Sequence, residues 1–393
     1  MTYLNPQVSL TDEEIKEKLL NHHIYVEQRD RFLKDDEEPI PESFYQQIVS
    51  YLEKQQIILN PSLISPEIGY KGYQWTQTDN KILITYVSDT LEKRVNINGD
   101  RIQSDFISGI LYRAPQDFKV TTESSIIKIE LTVNEKWPIL IVGGDDIDLD
   151  SIYIMTFSTL HTCLYSLSRR LLLHNAMRNH YCSIFALSFL SLGEGDKNAS
   201  FYWNIILYLN CKKQYPTAFA VICEILMGAE DKGSSAILAE NILIENANEN
   251  VPNAFLYLGF LHLNDIEGFQ SNNSLAFQYF KEAGEKYKIP KALDTLGRMF
   301  LFSIGVNQDI EAGFKYLNEA DLPKDQIIDL LKKAEVDEAQ IQFLFDEKNK
   351  KSEIVSNESD TKKKPNAKKI IIYSVLTFSA ALLLGYNFIK RRK

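Results

Sequence analysis

Apolar residues recur at helical spacing near the start of the chain, alternate over the next stretch, and return to helical spacing for most of the remaining length. Before about residue 60 the spacing predicts two amphipathic helices. One opens at a capping box from Thr11 to Glu14, and the other follows Pro41 through SFYQQIVSYLEKQQ. The Pro-containing stretch NPSLISPEIGY closes that section. From about Tyr70 to Val142 the period shortens to two, in KILITYV, KRVNING, GILYR, DFKVTT and SIIKIELTV, separated by Gly, Asp, Asn and Pro. About five or six short strands with no helix between them predict an antiparallel β-sandwich. From about Ile152 to the high 340s the pattern is helical.

Within that helical stretch the sequence repeats. The run from Ala254 through Leu258 and Gly259 aligns with that from Ala292 through Leu296 and Gly297, and Phe277 to Ala283 aligns with Phe314 to Ala320. A period of about 37 to 38 residues is that of a helix pair in a tetratricopeptide-like solenoid. Weaker copies upstream, from Ala218 and in CSIFALSFL with FYWNIILYL, bring the expected solenoid to about three or four helix pairs.

The end of the chain has a different texture. Residues 346–369 are polar and basic and predict a flexible tether. Residues 370–389 then run without a formal charge, about the length that crosses a bilayer as a helix. The apolar positions that would contact lipid are Ile370, Ile371, Ile372, Leu376, Leu382, Leu383, Leu384 and Ile389. Lys390, Arg391, Arg392 and Lys393 come last and suit anionic headgroups or a targeting role. The expectation is a tail-anchored, single-pass protein with its N-terminus in the cytosol. The moderate hydrophobicity and basic tip favour the mitochondrial outer membrane, then the endoplasmic reticulum, then the peroxisome.

Two stretches carry resemblances. Tyr73, Trp75, Gln77 and Thr78 entering the first strand, Gly109 and Tyr112 in the middle, the strand SIIKIEL, and Trp137 with Pro138 at the end make residues 67–145 look like the CS domain of the NudC and Hsp co-chaperone type. The phrase ALDTLGRMFLFSIGVNQDIEAGFKYLNEA is similar to a Sel-like repeat, with small residues at Ala292, Gly297, Ala312 and Gly313. These resemblances imply protein binding, co-chaperone or scaffold work, and no requirement for a cofactor.

Charge changes the picture of partners. The net charge of −10 hides nine basic residues and no acid in residues 361–393, which leaves −19 on residues 1–360. Nucleic acid would repel so acidic a body, and proteins are the expected partners, with a heat-shock chaperone or its clients among them and the lipid bilayer met by the C-terminal helix alone. Cys163, Cys182, Cys211 and Cys223 lack C-x-x-C spacing and lie in apolar helical surroundings, which predicts reduced core thiols.

No phosphate-binding loop, nucleophile elbow or metal-ligand spacing stands out. His174 and His180 are six residues apart and cannot share a helix face, and the acidic run Asp145, Asp146, Asp148 and Asp150 lacks the central Gly and final Glu of a calcium loop. No catalytic residue, metal ligand or cofactor is assigned, and the chain is not expected to be an enzyme.

The expected organisation is a multidomain α+β chain. An N-terminal helical segment (1–66) precedes a CS-like antiparallel β-sandwich (67–145) and a helical repeat region (146–345). The tether (346–369), a single C-terminal transmembrane helix (370–389) and a basic tail (390–393) complete it. Two functions fit that layout: an adaptor or scaffold at an organelle surface with co-chaperone character, or a membrane receptor that recruits one specific cytosolic complex.

Overall fold

The computed structural model describes residues 4–36, 40–56, 73–87, 95–104, 106–123, 126–143, 152–153, 155–156, 159–160, 162–228 and 232–346. The chain divides into two compact units. One is Leu20–Ala218; the other joins the residues up to Leu19 to those from Phe219 onward.

The unit Leu20–Ala218 starts with α2 (His23–Asp35) and α3 (Glu42–Lys54), which follow α1 (Asp12–Leu20). Three helices thus stand where the pattern predicts two. The unanticipated one, α2, is a polar helix that buries only Gln28 and Phe32, too few positions to show a periodicity. Two four-stranded antiparallel sheets come next, ordered β1-β2-β7-β6 and β3-β4-β5-β8. The first comprises β1 (Gln74–Gln77), β2 (Lys81–Val87), β7 (Ile126–Thr132) and β6 (Asp117–Glu123). The second comprises β3 (Asn96–Asn98), β4 (Arg101–Gln103), β5 (Ser108–Leu111) and β8 (Ile141–Gly143).

Register follows the alternation of side chains. Ile82 opposes Leu131 and Ile84 opposes Ile129, so all four point to the same face. They share one core with Trp75 from β1 and with Ile102, Leu111 and Ile141 of the second sheet. Strands of three residues, such as β4, are too short to show an alternating pattern, and so the structure has more strands than the sequence suggests. The remainder of the unit is helical: α4 (Tyr165–Ala176), α5 (Tyr181–Glu194) and α6 (Lys197–Cys211). Phe32 of α2 stacks on Trp203 of α6 at 4.6 Å.

The other unit contains α1, α7 (Ala218–Met227), α8 (Lys232–Asn248), α9 (Pro252–Leu263), α10 (Asn273–Lys281), α11 (Pro290–Leu301), α12 (Ile310–Glu319), α13 (Lys324–Lys333) and a last helix over residues 338–346. Helices α9 and α11 open alike, each with a proline in its first turn after an extended residue, Val251 or Ile289. Their partners α10 and α12 also open alike. Asn272 accepts from Leu275 N, and Asp309 from Ala312 N, each at the third helical position. A Cβ on Gly259 would fall 2.7 Å from Phe280, and one on Gly297 would fall 2.6 Å from Leu317, so each glycine lets the second helix of its pair close on the first.

Two expectations are corrected. The fold is mostly helical with two small antiparallel sheets, and no helix among the described residues is long and apolar enough to cross a membrane. Residues 370–389, Lys390, Arg391, Arg392 and Lys393, and all but the first residue of the expected tether lie outside the described residues. The predicted single C-terminal transmembrane helix, the tail anchor and the placement at a mitochondrial, reticular or peroxisomal membrane are therefore withdrawn. Length and absence of charge were the basis of that expectation. Tyr373, Ser374, Thr377, Ser379, Tyr386 and Asn387 interrupt the stretch, which makes it a weakly apolar candidate.

Candidate functional site

Helix α8 is buried along most of its length, yet it carries polar side chains inside: Glu240 and Asn241 are 1% and 6% exposed. Neighbouring carboxylate and carboxamide groups in so apolar a run must find partners, because burying them unpaired is costly. Their partners come from the far end of the sequence. The segment before α1 contributes main-chain atoms from Gln7 to Leu10 to both side chains.

The geometry is specific. Asn241 Oδ1 accepts from Leu10 N at 2.9 Å, while its Nδ2 donates to Val8 O at 2.8 Å and to Ile237 O at 2.8 Å. Glu240 Oε2 accepts from Gln7 N at 2.8 Å. The Gln7 carboxamide pairs reciprocally with the main chain of Gln270, donating to its carbonyl at 2.7 Å and accepting from its N–H at 3.3 Å. The segment is read through its backbone. Gln7, Val8 and Ser9 remain exposed, Val8 at 49%, and Leu10 is half-buried. Thr11 and Glu14 then cap α1 reciprocally, which fixes where the non-helical segment, bent at Gln7 and Val8, stops.

Behind Glu240 lies His262 of α9, 1% exposed, with its Nε2 3.2 Å from Glu240 Oε1. This is ion-pair distance without hydrogen-bond alignment, and neither ring nitrogen has a hydrogen-bond partner among the described residues. The ring stacks on Tyr279 at 5.5 Å and lies 5.3 Å from Phe269. Nearby Cys223 lies under α8, with its Sγ 3.8 Å from Ala239 O, and burial raises its thiol pKa far above the ordinary range. It stays protonated and is a poor nucleophile. Among the described residues no cluster of His, Cys, Asp and Glu could hold a metal ion. The arrangement can grip a short, non-helical stretch of main chain.

The unit Leu20–Ala218 has a cleft of about 330 Å³ lined by Arg31, Phe32, Asp35, Arg169, Arg170 and Trp203, among others. Its cations are already engaged. Arg31 pairs with Asp196 at 3.0 Å, Arg169 with Glu194 at 3.4 Å, and Arg170 lies over the Phe44 ring at 5.3 Å.

The residues singled out in the sequence serve mainly in packing. Tyr73, Trp75 and Trp137 are core residues of the sheets, and Pro138 is buried beside them. Gln77 donates to Trp137 O at 2.8 Å and accepts from Trp137 N at 3.0 Å. Thr78 N donates to Lys81 O in the turn between β1 and β2, and Gly109 lies in β5 against Ile141. Tyr112 lies 6.0 Å from Trp137, and its hydroxyl donates to Glu53 of α3 at 2.6 Å. Ala254, Leu258, Gly259, Ala292, Leu296 and Gly297 are buried in α9 and α11, and Ala320 follows α12. Cys163 is exposed, contrary to the expectation of four core thiols, while Cys182, Cys211 and Cys223 are buried. Gln7, Glu240, Asn241 and His262 were not anticipated. The signal that could have found the two on α8 is the first of the two Glu-Asn pairs, Glu240-Asn241 and Glu245-Asn246, that interrupt the apolar run AILAENILIENA.

No family model matches the chain, and no curated protein matches it. The resemblance of residues 67–145 to the CS family thus has no counterpart in these comparisons. A solved structure, that of a protective antigen present in uropathogenic Escherichia coli strains and displaying an SLR fold, is similar at 15% identity with a TM-score of 0.31, over 56% of this chain and 57% of that one. The chain spans a little over half the length of that protein. It contains a helical-repeat part of its own, visible in the matched helix pairs α9–α10 and α11–α12.

Proposed function

We propose that this chain is a non-catalytic adaptor whose repeat, Sel-like in sequence, binds a non-helical polypeptide segment of a protein partner. The observation that carries the proposal is the grip of Asn241 on Val8 and Leu10, in which one side chain takes both a carbonyl and an N–H of a bent, non-helical backbone. Helical repeats commonly use a surface of stacked helices to bind other chains, and no cofactor is needed for that work. Scaffold duty is the reading we favour, with a heat-shock chaperone or a client as the partner class that the sequence resemblance suggests. Pull-down with the full chain tests it. Recovery of a partner that is lost in Asn241→Leu supports the proposal, and retention of every partner in that variant removes the site from it. Dependence of recovery on nucleotide would indicate a chaperone.

A further inference from the structure

We infer that residues Asn5–Leu10 are a displaceable in-chain ligand, seated where a partner's non-helical segment binds. This rests on the adaptor reading above and adds the partner's chemistry and a form of regulation. The contacts to α8 use only main-chain atoms of Gln7, Val8 and Leu10, which any non-helical segment that makes the same bend can supply. The reciprocal pairing of the Gln7 carboxamide with Gln270 adds one side-chain requirement. The half-buried Leu10 adds a second, three positions further on. The partner is therefore a non-helical segment with Gln or Asn followed three residues later by an aliphatic residue.

The segment is suited to leaving. The side chains of Val8 and Ser9 face solvent and that of Gln7 is held through its carboxamide, so the hold is mostly polar, and hydrogen bonds exchanged with water stabilise only modestly. Such a segment opens at the low-stability end of the molecule. When it leaves, Glu240 and Asn241 lose their partners from the segment, and the gain from restoring such bonds is what favours a replacement. While it is bound, its tether gives it an effective concentration on the order of millimolar, so a partner at micromolar level must be pre-organised or multivalent to displace it.

The test is fluorescence anisotropy with a labelled peptide of residues 4–11, LNPQVSLT, against the intact chain and a full chain lacking only residues 2–10. The opened chain should bind the peptide saturably and at least about tenfold more tightly than the intact one, because the tethered competitor is gone. Asn241→Leu in the opened chain should abolish binding, and a peptide with Leu in place of Gln should bind several-fold more weakly. If circular dichroism shows that the deletion unfolds the unit, Gln7→Pro in the full chain removes the same N–H and carboxamide with the chain otherwise intact, and should expose the site in the same way. Binding that is equal in the intact, opened and Asn241→Leu chains overturns the inference. If the folded opened chain binds other non-helical peptides but not its own segment, the in-chain ligand falls and the adaptor site stands. If it binds no non-helical peptide at all, both fall.

Discussion

The helix pairs α9–α10 and α11–α12 share one backbone plan and differ in what they hold inside. Position for position, Asn250 and Lys288 both adopt a left-handed backbone before the proline-led helix. Gly259 meets Phe280 where Gly297 meets Leu317. His262 stacks on Tyr279 where Phe300 stacks on Tyr316, at 5.5 Å and 5.6 Å. The first pair has exchanged an aromatic hydrocarbon for an imidazole and set it against a buried carboxylate. A repeat needs only small residues and apolar volumes at its contacts, so a buried polar group at a repeated position marks a departure that repetition alone does not require.

The largest expected effect comes from undoing that departure halfway. His262→Phe should destabilise the unit by about 3 kcal/mol, since it takes the imidazole away from a buried Glu240 and leaves that carboxylate the N–H of Gln7. Combining it with Glu240→Leu makes the first pair resemble the second and should recover most of the loss. Urea unfolding followed by hydrogen exchange at the α9 amides reads both, and a double variant no better than the single would break the comparison.

Next in size are the glycines. Gly297→Leu should cost about 1 to 3 kcal/mol through overpacking. Gly297→Ala should cost more than Gly259→Ala, because the added methyl also meets the carbonyl of Gly313 at 3.0 Å, whereas at Gly259 its nearest neighbours are atoms of a single ring. Equal thermal shifts for the two alanine variants would mean that the second pair yields as easily as the first.

The caps come third. Asn272→Ala and Asp309→Ala should each cost about 1 kcal/mol, and by the same amount if the pairs are equivalent at their entry turns. Denaturant midpoints measure this directly.

The smallest effect is a pH dependence in the unit Leu20–Ala218. His174 is held below its ordinary pKa, first by burial and then by the Arg178 guanidinium, with Asp36 opposing. The unfolded chain therefore takes up the proton first. Stability is full above the ordinary histidine range and declines as the pH falls through about 6.5 and below. His174→Gln should flatten that limb of the stability profile, and an unchanged slope would assign the acid sensitivity elsewhere.

Sequence made the helix pairs legible because close approach demands particular residues, such as Gly259 and Gly297, at a fixed interval. The sheets were legible where strands ran for seven residues, as in KILITYV and IIKIELT, while the three-residue β4 was not anticipated. Helix α2 escaped notice because its inward face is little more than Gln28 and Phe32. The grip on the N-terminal segment could not be read in advance. Gln7 and Glu240 are 233 positions apart, and nothing local in either stretch names the other. The uncharged stretch near the C-terminus misled for the opposite reason: a composition suited to lipid is a local property, and by itself it does not establish a membrane-spanning helix.

The joining of the first residues to the unit that begins at Phe219 sets an order in time. On the ribosome Gln7 emerges long before Glu240 and Asn241 exist, and it must remain unpaired while the whole of Leu20–Ala218 is made and can fold. Closing a contact over so many residues is slow compared with forming adjacent helices, so the first residues made are expected to reach α8 after its neighbouring helices have formed. For that interval every nascent copy presents α8 unoccupied, and a tag fused ahead of Met1 would travel with the segment that has to come home.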